Sequence, residues 1–208
     1  GAASAYCQLG GALVRGSELD APPGVRTPAH SHNNLSKLLL WQDPLLSPLD
    51  PLTDSHPMPK HYAKLAQALE RLARDTQRNE LAERLNYPAQ VAKVLSLKTG
   101  LRSRLAAAYK KKDRKRLRVL LAQEVAPLRR ETAKLRKIHR ELWLGTYKPF
   151  GWEVIDHRYG GLDARLDTLT ARVQAYIRGK HARIEELEAA LVPVFTFQDL
   201  GQMPNLNH

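Results

Sequence analysis

Apolar residues recur at helical spacing through most of the chain from Pro59 onward. In the first such stretch Tyr62, Leu65, Leu69 and Leu72 stand three or four positions apart, which places their side chains on one face of an α-helix. Pro59 suits the first turn of this helix, because the N–H that a proline lacks has no helical partner there. The pattern predicts an amphipathic helix that begins near residue 59.

Two longer helices are predicted next, and each contains a proline. The second covers about 81–112, with a start or a kink at Pro88. The third covers about 114–143, with Asp113 as its N-cap and a bend at Pro127. Their apolar positions form one seam on each helix: Val91, Val94, Leu95, Leu101 and Leu105 on the second, and Leu117, Leu120, Leu121, Val125, Leu128, Leu135 and Leu142 on the third.

A fourth helix is predicted from about Gly161 to Gly179, and a short one near 181–191. Long helices joined by short connections are typical of an antiparallel bundle. The sequence therefore predicts an all-α fold, an antiparallel bundle of four to five helices that occupies residues 58–192 and is followed by a C-terminal tail over 193–208.

Residues 1–57 differ from the bundle, because prolines interrupt them too often for long helices or central strands. We interpret this stretch as an extended, proline-rich N-terminal lead-in. Its strongly apolar segment, Leu35–Trp41, is predicted to be a docking segment or a short helix. The apolar surface of Leu35–Leu46 is expected to be exposed and to lie against a partner.

The stretch KPFGWEVIDHRYGG, residues 148–161, interrupts the run of helices. We expect the third helix to end at Trp143 and the chain to reverse direction directly afterwards. Gly145 and Gly151 permit backbone angles that other residues resist, and Pro149 fixes one such angle.

A polar cluster follows this reversal and consists of Glu153, Asp156, His157, Arg158 and Tyr159. The candidate functional residues are Trp152 and, from this cluster, Glu153, Asp156, Arg158 and Tyr159. Trp152 is predicted to pack back on the end of the bundle. The glycine pair at 160–161 is expected to permit close approach by another backbone.

The net charge of +12 is concentrated in one segment. Residues 101–140 contain 15 Lys and Arg against three acidic residues, which equals the surplus of the whole chain. Such a surface favours weak, salt-sensitive association with polyanions. The alternative is that these long side chains lie on the outer faces of the bundle helices and keep their charged ends in water. Specific nucleic-acid binding is not expected, because no aromatic stacking platform is interleaved with the basic residues.

The sequence contains little that points to a disulfide, a metal site or a membrane segment. The single cysteine, Cys7, excludes an internal disulfide and fits a reducing, cytoplasmic compartment. His30 and His32 have no further ligand at useful spacing, so we predict neither a metal site nor a cofactor. Apolar runs fall short of the about 20 residues that span a bilayer, so a membrane segment is not predicted.

Three phrases carry a resemblance to a known family. They are NNLSKLLLWQDPLLSPLD (33–50), AKVLSLKTGLRSRLAAAYKKKDRKRLRVLL (92–121) and HRELWLGTYKPFGWEVIDHRYGGLDARLDTLTARVQAYIRGKHARIEELEAAL (139–191). Together they resemble the C-terminal helical domain of a subgroup of bacterial glycoside hydrolase family 20 enzymes, the exo-β-N-acetylhexosaminidases. The resemblance covers roughly residues 30–192.

The resemblance implies a parent enzyme with a (β/α)₈ barrel ahead of the helical region. In that family an adjacent Asp-Glu pair on the barrel orients the sugar's 2-acetamido group, whose oxygen attacks the anomeric carbon, and protonates the leaving oxygen. This sequence contains no adjacent Asp-Glu pair, so no catalytic residue is assigned. The resemblance implies a non-catalytic domain of an enzyme that removes terminal N-acetylhexosamine from glycoconjugates, with a role in bracing the barrel or in dimerisation.

Three interpretations of the 148–161 corner stay open at this point. It is a rigid helix-to-helix corner, an interface with the parent's barrel or with a second copy in a homodimer, or a sugar contact in which Trp152 stacks on a pyranose ring. A different class of function also stays open for the whole chain, a stand-alone basic helical protein that binds nucleic acid or another polyanion.

Overall fold

The computed structural model describes residues 18–20, 22, 34–76 and 79–191. These ranges contain helices and no strand, which confirms the all-α prediction. The helices are α1 Leu35–Trp41, α2 Asp50–Thr53, α3 Met58–Asp75, α4 Asn79–Lys98, α5 Leu101–Lys110, α6 Arg114–Leu120, α7 Ala126–Thr146, α8 Trp152–Ile177 and α9 Glu185–Glu188, and a π-helical turn, Leu121–Val125, joins α6 to α7.

One hydrophobic core runs through the bundle. Helices α3 and α4 form a hairpin, α7 packs on α4, α8 packs back on α7, and α1 lies on α4. Most of the apolar positions predicted from the sequence face this core, as Leu69, Leu95 and Leu135 are all fully buried, whereas Leu142 is only half-buried. The helical spacing of these residues therefore both forms the helices and directs their packing.

The segment predicted as the second helix, about 81–112, forms two separate helices, α4 and α5. Helix α4 ends at Lys98, and Gly100 takes a positive φ of 65° before α5 begins. A glycine occupies this left-handed conformation at low cost, and it commonly stops a helix. Pro88 lies inside α4 and does not start it.

The predicted third helix begins as expected, because the Asp113 carboxylate accepts a hydrogen bond from the Arg116 N–H at 2.8 Å. Its interior differs from a regular helix. The π-helical turn ends directly before α7, whose first turn contains Pro127. Since a proline ring clashes with the carbonyl four residues earlier, the wider turn accommodates Pro127 without ending the helix.

The N-terminal lead-in contains two short helices, α1 and α2, within the residues described. The prediction of a short helix at Leu35–Trp41 is confirmed, but the expectation that Leu35–Leu46 exposes its apolar surface is wrong. Leu35, Leu39 and Leu45 are buried in the chain's own core. The alternation of leucines with prolines hid this packing, because the segment is too short to show helical periodicity.

Candidate functional site

The chain reverses direction between α7 and α8 through five residues, Tyr147 to Gly151. The Tyr147 N–H donates to the Trp143 carbonyl at 2.7 Å, and the Trp143 indole N–H donates to the Lys148 carbonyl at 3.1 Å. Gly151 has a φ of 89°, which side chains rarely tolerate. These bonds hold the reversal in one conformation, which we call the corner.

The corner is shorter than the sequence suggested. Helix α7 continues past Trp143 and includes Gly145, while α8 begins at Trp152 and includes Gly160 and Gly161. A Cβ added to Gly160 or Gly161 would meet no atom within 4 Å. The expected close approach of another backbone to this pair is therefore not made by the described part of the chain.

Aromatic rings from α4, α7 and α8 pack around His139, and Trp41 of α1 joins this cluster through Tyr159. The rings of Tyr87 and Trp152 lie 4.6 Å and 5.4 Å from its imidazole, measured between centroids. The Tyr159 hydroxyl lies 3.1 Å from His139 Nδ1, and Trp41 makes an edge contact with the Tyr159 ring at 4.8 Å. Burial lowers the pKa of His139 to about 4, so this imidazole is neutral near pH 7.

Two of the predicted site residues belong to this aromatic cluster. Tyr159 is 2% exposed, and burial raises its pKa above the usual range. Trp152 is half-buried at the start of α8, with its ring centroid 6.5 Å from those of Trp143 and Tyr159. Both side chains fix the corner to the bundle.

The other three predicted residues lie around the first turns of α8. Glu153 is exposed, and its carboxylate accepts the Gly151 N–H at 2.8 Å, which caps the helix start. Asp156 binds Arg136 of α7 through two hydrogen bonds of 2.8 Å and 3.0 Å. Arg158 is half-buried. It lines a cleft and lies close enough to Lys37 to lower the pKa of that lysine, after the larger effect of burial.

The cleft has a volume of about 600 Å³ and opens beside the corner. Its walls come from α1, α4, α7 and α8 and from the lead-in, where Leu19 and Asp20 contribute. Trp143, Gly151 and Val154 form its corner side. The lead-in, although distant in sequence, therefore lies next to the corner.

Four large apolar side chains are exposed at the corner. The exposed fractions are 43% for Leu144, 63% for Tyr147, 81% for Phe150 and 50% for Val154. We call this set the apolar corner patch. The candidate residues predicted from the sequence, Trp152 and four polar residues after it, are neighbours of this patch and do not belong to it. A phenylalanine at a proline-glycine turn was the signal that could have revealed it.

Among the described residues, no three His, Cys, Asp or Glu side chains are grouped so that they could hold a metal ion. Cys7, His30 and His32 lie outside those residues. None of the helices in the described ranges is long and apolar enough to cross a membrane.

The fold and the corner define a helical bundle domain without a recognisable catalytic centre among the described residues. The family described as the glycoside hydrolase 20C C-terminal domain matches residues 12–204. The chain belongs to this family, which confirms the resemblance seen in the sequence. No curated protein matches the chain.

Proposed function

We propose that the chain is the non-catalytic C-terminal domain of a β-N-acetylhexosaminidase and that it braces the catalytic barrel by docking on it through the apolar corner patch. The parent enzyme removes terminal N-acetylhexosamine from glycoconjugates. The observation that carries the proposal is the grouping of Leu144, Tyr147, Phe150 and Val154 as exposed side chains at one end of the α7–α8 hairpin.

A turn that faces only water gains no stability from exposed apolar side chains. Single exposed apolar residues are ordinary, but four of them within residues 144–154 are a concentration that is typical of interaction sites. Each large apolar side chain that a partner covers contributes roughly 1.5–3 kcal/mol when burial is complete. Phe150, the most exposed of the four, is therefore the residue expected to contribute most to docking.

The entry of the chain into the bundle favours the barrel as the partner. The Glu18 carbonyl accepts from His61 Nε2 at 2.9 Å, and the Leu19 carbonyl accepts from the Tyr62 hydroxyl at 3.0 Å. Asp20 and Val154 line the same cleft. Members of this family are C-terminal domains, so in our proposal the catalytic part lies ahead of this entry point and its connection reaches the bundle next to Val154.

The rigid mounting of the patch also supports docking. Gly151, the Trp143–Lys148 bond and the Arg136–Asp156 pair fix the turn relative to both helices. A preorganised surface loses less conformational entropy when it binds. The corner therefore has the properties of a docking surface and of a rigid helix connection at once.

The double variant Tyr147→Ser and Phe150→Ser in the full-length enzyme tests the proposal. We expect the domain to be released faster by limited proteolysis and the catalytic part to unfold at a lower temperature. Leu46→Ser is the matched control, since Leu46 is also 43% exposed but lies outside the corner. Unchanged proteolysis and melting in the double variant would contradict docking.

Two further measurements separate the alternative roles of the corner. If the patch joins two copies of the enzyme, the double variant will halve the particle mass in light scattering, and the dimer role replaces the bracing role. If Trp152 contacts the sugar, Trp152→Ala will raise KM. We expect both the particle mass and KM to stay unchanged.

A further inference from the structure

The strongest unassigned feature is a group of cations at the end of the bundle away from the corner. Seven exposed basic residues crowd the turn between α5 and α6, and two more follow the end of α8. The Arg114 guanidinium lies 5.5 Å from the centroid of the Tyr176 ring, so the two groups are adjacent. We call them the basic end: Lys110, Lys111, Lys112, Arg114, Lys115, Arg116, Arg118, Arg178 and Lys180.

The basic end and the apolar corner patch lie at opposite ends of the molecule. Helix α6, the π-helical turn and α7 continue one another from Arg114 to Thr146. At about 1.5 Å per residue this length is roughly 50 Å. Docking at the corner therefore leaves the basic end free to meet another partner.

Acidic side chains do not neutralise this end. Asp113 is used as the N-cap of α6, and Glu188 binds Tyr109 and Arg183. Within the described ranges none of the seven turn cations forms an ion pair. The middle of the bundle differs, because Arg129 there pairs with Asp163 on α8.

The backbone of the turn gives a second and independent observation. Lys112 has a φ of 54° and is the one non-glycine residue with a positive φ in the described ranges. The Asp113 N–H donates to the Ala108 carbonyl and the Lys112 N–H to the Tyr109 carbonyl, which is the Schellman ending of a helix. Glycine is strongly favoured at the position that Lys112 occupies, so the lysine adds a charge at the expense of backbone stability.

We propose that the basic end binds an anionic polysaccharide, a linear glycan that carries carboxylate or sulfate groups. A patch of nine cations complements a polymer with repeated negative charges. Two observations disfavour two of the other polyanions, single-stranded nucleic acid and an anionic membrane. Tyr109 and Tyr176 pack on each other at 4.8 Å and are not free to stack on bases. The exposed large apolar residues of the described ranges lie elsewhere, whereas a membrane-bound basic surface usually inserts some. The proposal does not depend on the bracing role.

The test measures binding of fluorescein-labelled heparin, a sulfated glycan, and of labelled polygalacturonate, a carboxylated one, across a range of salt concentrations. We expect both to bind, with an affinity that falls as salt rises. The triple variant Lys111→Gln, Lys115→Gln and Arg116→Gln should weaken binding at least tenfold. The control Lys60→Gln, Lys64→Gln and Lys93→Gln removes the same charge from exposed positions on α3 and α4 and should weaken it less than twofold.

Lys112→Gly separates a binding role from a structural one. We expect this variant to melt at a higher temperature and yet to bind heparin more weakly, whereas a residue retained for stability would show the opposite. Equal losses in the triple variant and its control would overturn the proposal, because binding would then follow net charge alone. Binding of duplex DNA or of vesicles with anionic lipid as tightly as heparin would overturn the assignment to glycans.

Discussion

Lys98 Nζ lies 2.6 Å from the Gln42 carbonyl oxygen, and this contact joins the end of α4 to the residue that follows α1. The same ammonium group also donates to the Leu39 and Leu40 carbonyls at 3.1 Å and 2.5 Å. The three N–H donors of the ammonium group bind three carbonyls that have no helical hydrogen-bond partner at the end of α1. A fully buried lysine therefore fixes the lead-in to the bundle.

Lys98→Met should consequently destabilise the chain by about 3 kcal/mol, because buried carbonyls lose their donors. Urea unfolding followed by circular dichroism measures the change. Lys93→Met, at an exposed position of the same helix, should stay within about 0.5 kcal/mol of the wild type. Equal stability of the two variants would show that Lys98 does not hold α1.

His139 should make stability depend on pH. Its pKa is about 4 in the folded chain and about 6.5 when unfolded. Between these values the unfolded chain binds a proton that the folded chain does not, so this contribution is complete above pH 6.5 and is lost as pH falls towards 4. With allowance for solvent screening the loss is on the order of 1–2 kcal/mol.

The difference in unfolding free energy between the wild type and His139→Phe isolates this effect. Asp50 acts in the opposite direction, since burial and then the Asp54 carboxylate raise its pKa to about 7, but its contribution is common to both proteins. The loss of the Tyr159 hydrogen bond in the variant does not vary with pH over this range. A difference that stays constant from pH 7 to pH 4.5 would contradict the prediction. His157→Gln, at an exposed histidine, is the control.

Two glycine substitutions should change stability in opposite directions. Gly151→Ala should cost about 1–2 kcal/mol, because its φ is 89° and the new Cβ would lie 3.3 Å from Trp143 Cζ2. Gly160→Ala should add about 0.5–1 kcal/mol, because this position is helical, exposed and open. Thermal melting of both variants checks the pair, and destabilisation by Gly160→Ala would show that α8 is crowded there.

The sequence predicted the bundle well where helical periodicity was long. The seam of α3 and the Asp113 cap are both present as expected. The sequence was less informative where tertiary contacts override the local preference of the chain. Gly160 and Gly161 suggested a loop, yet the packing of Trp152 and Tyr159 around His139 keeps this stretch helical from Trp152 onward.

For the candidate site, the sequence pointed to the corner but not to the contacts made there. His139 and Trp143 are four residues apart, and Trp152 and Tyr159 are seven apart, so helical spacing alone could have grouped each pair on one face. The contact between the pairs, and the approach of Trp41, depend on the way three helices meet. The exposure of Phe150 has a local signal, its place between Pro149 and Gly151 in the turn, but the candidate residues predicted from the sequence do not include it.

The most direct test of docking is hydroxyl-radical footprinting of the isolated chain and of the full-length hydrolase. It compares the oxidation of Tyr147 and Phe150, which are 63% and 81% exposed here, with that of Leu46 as an internal reference. If the corner docks as proposed, oxidation of both corner residues will fall several-fold in the full-length enzyme, while that of Leu46 will not change. Equal oxidation of Phe150 in the two proteins would contradict it.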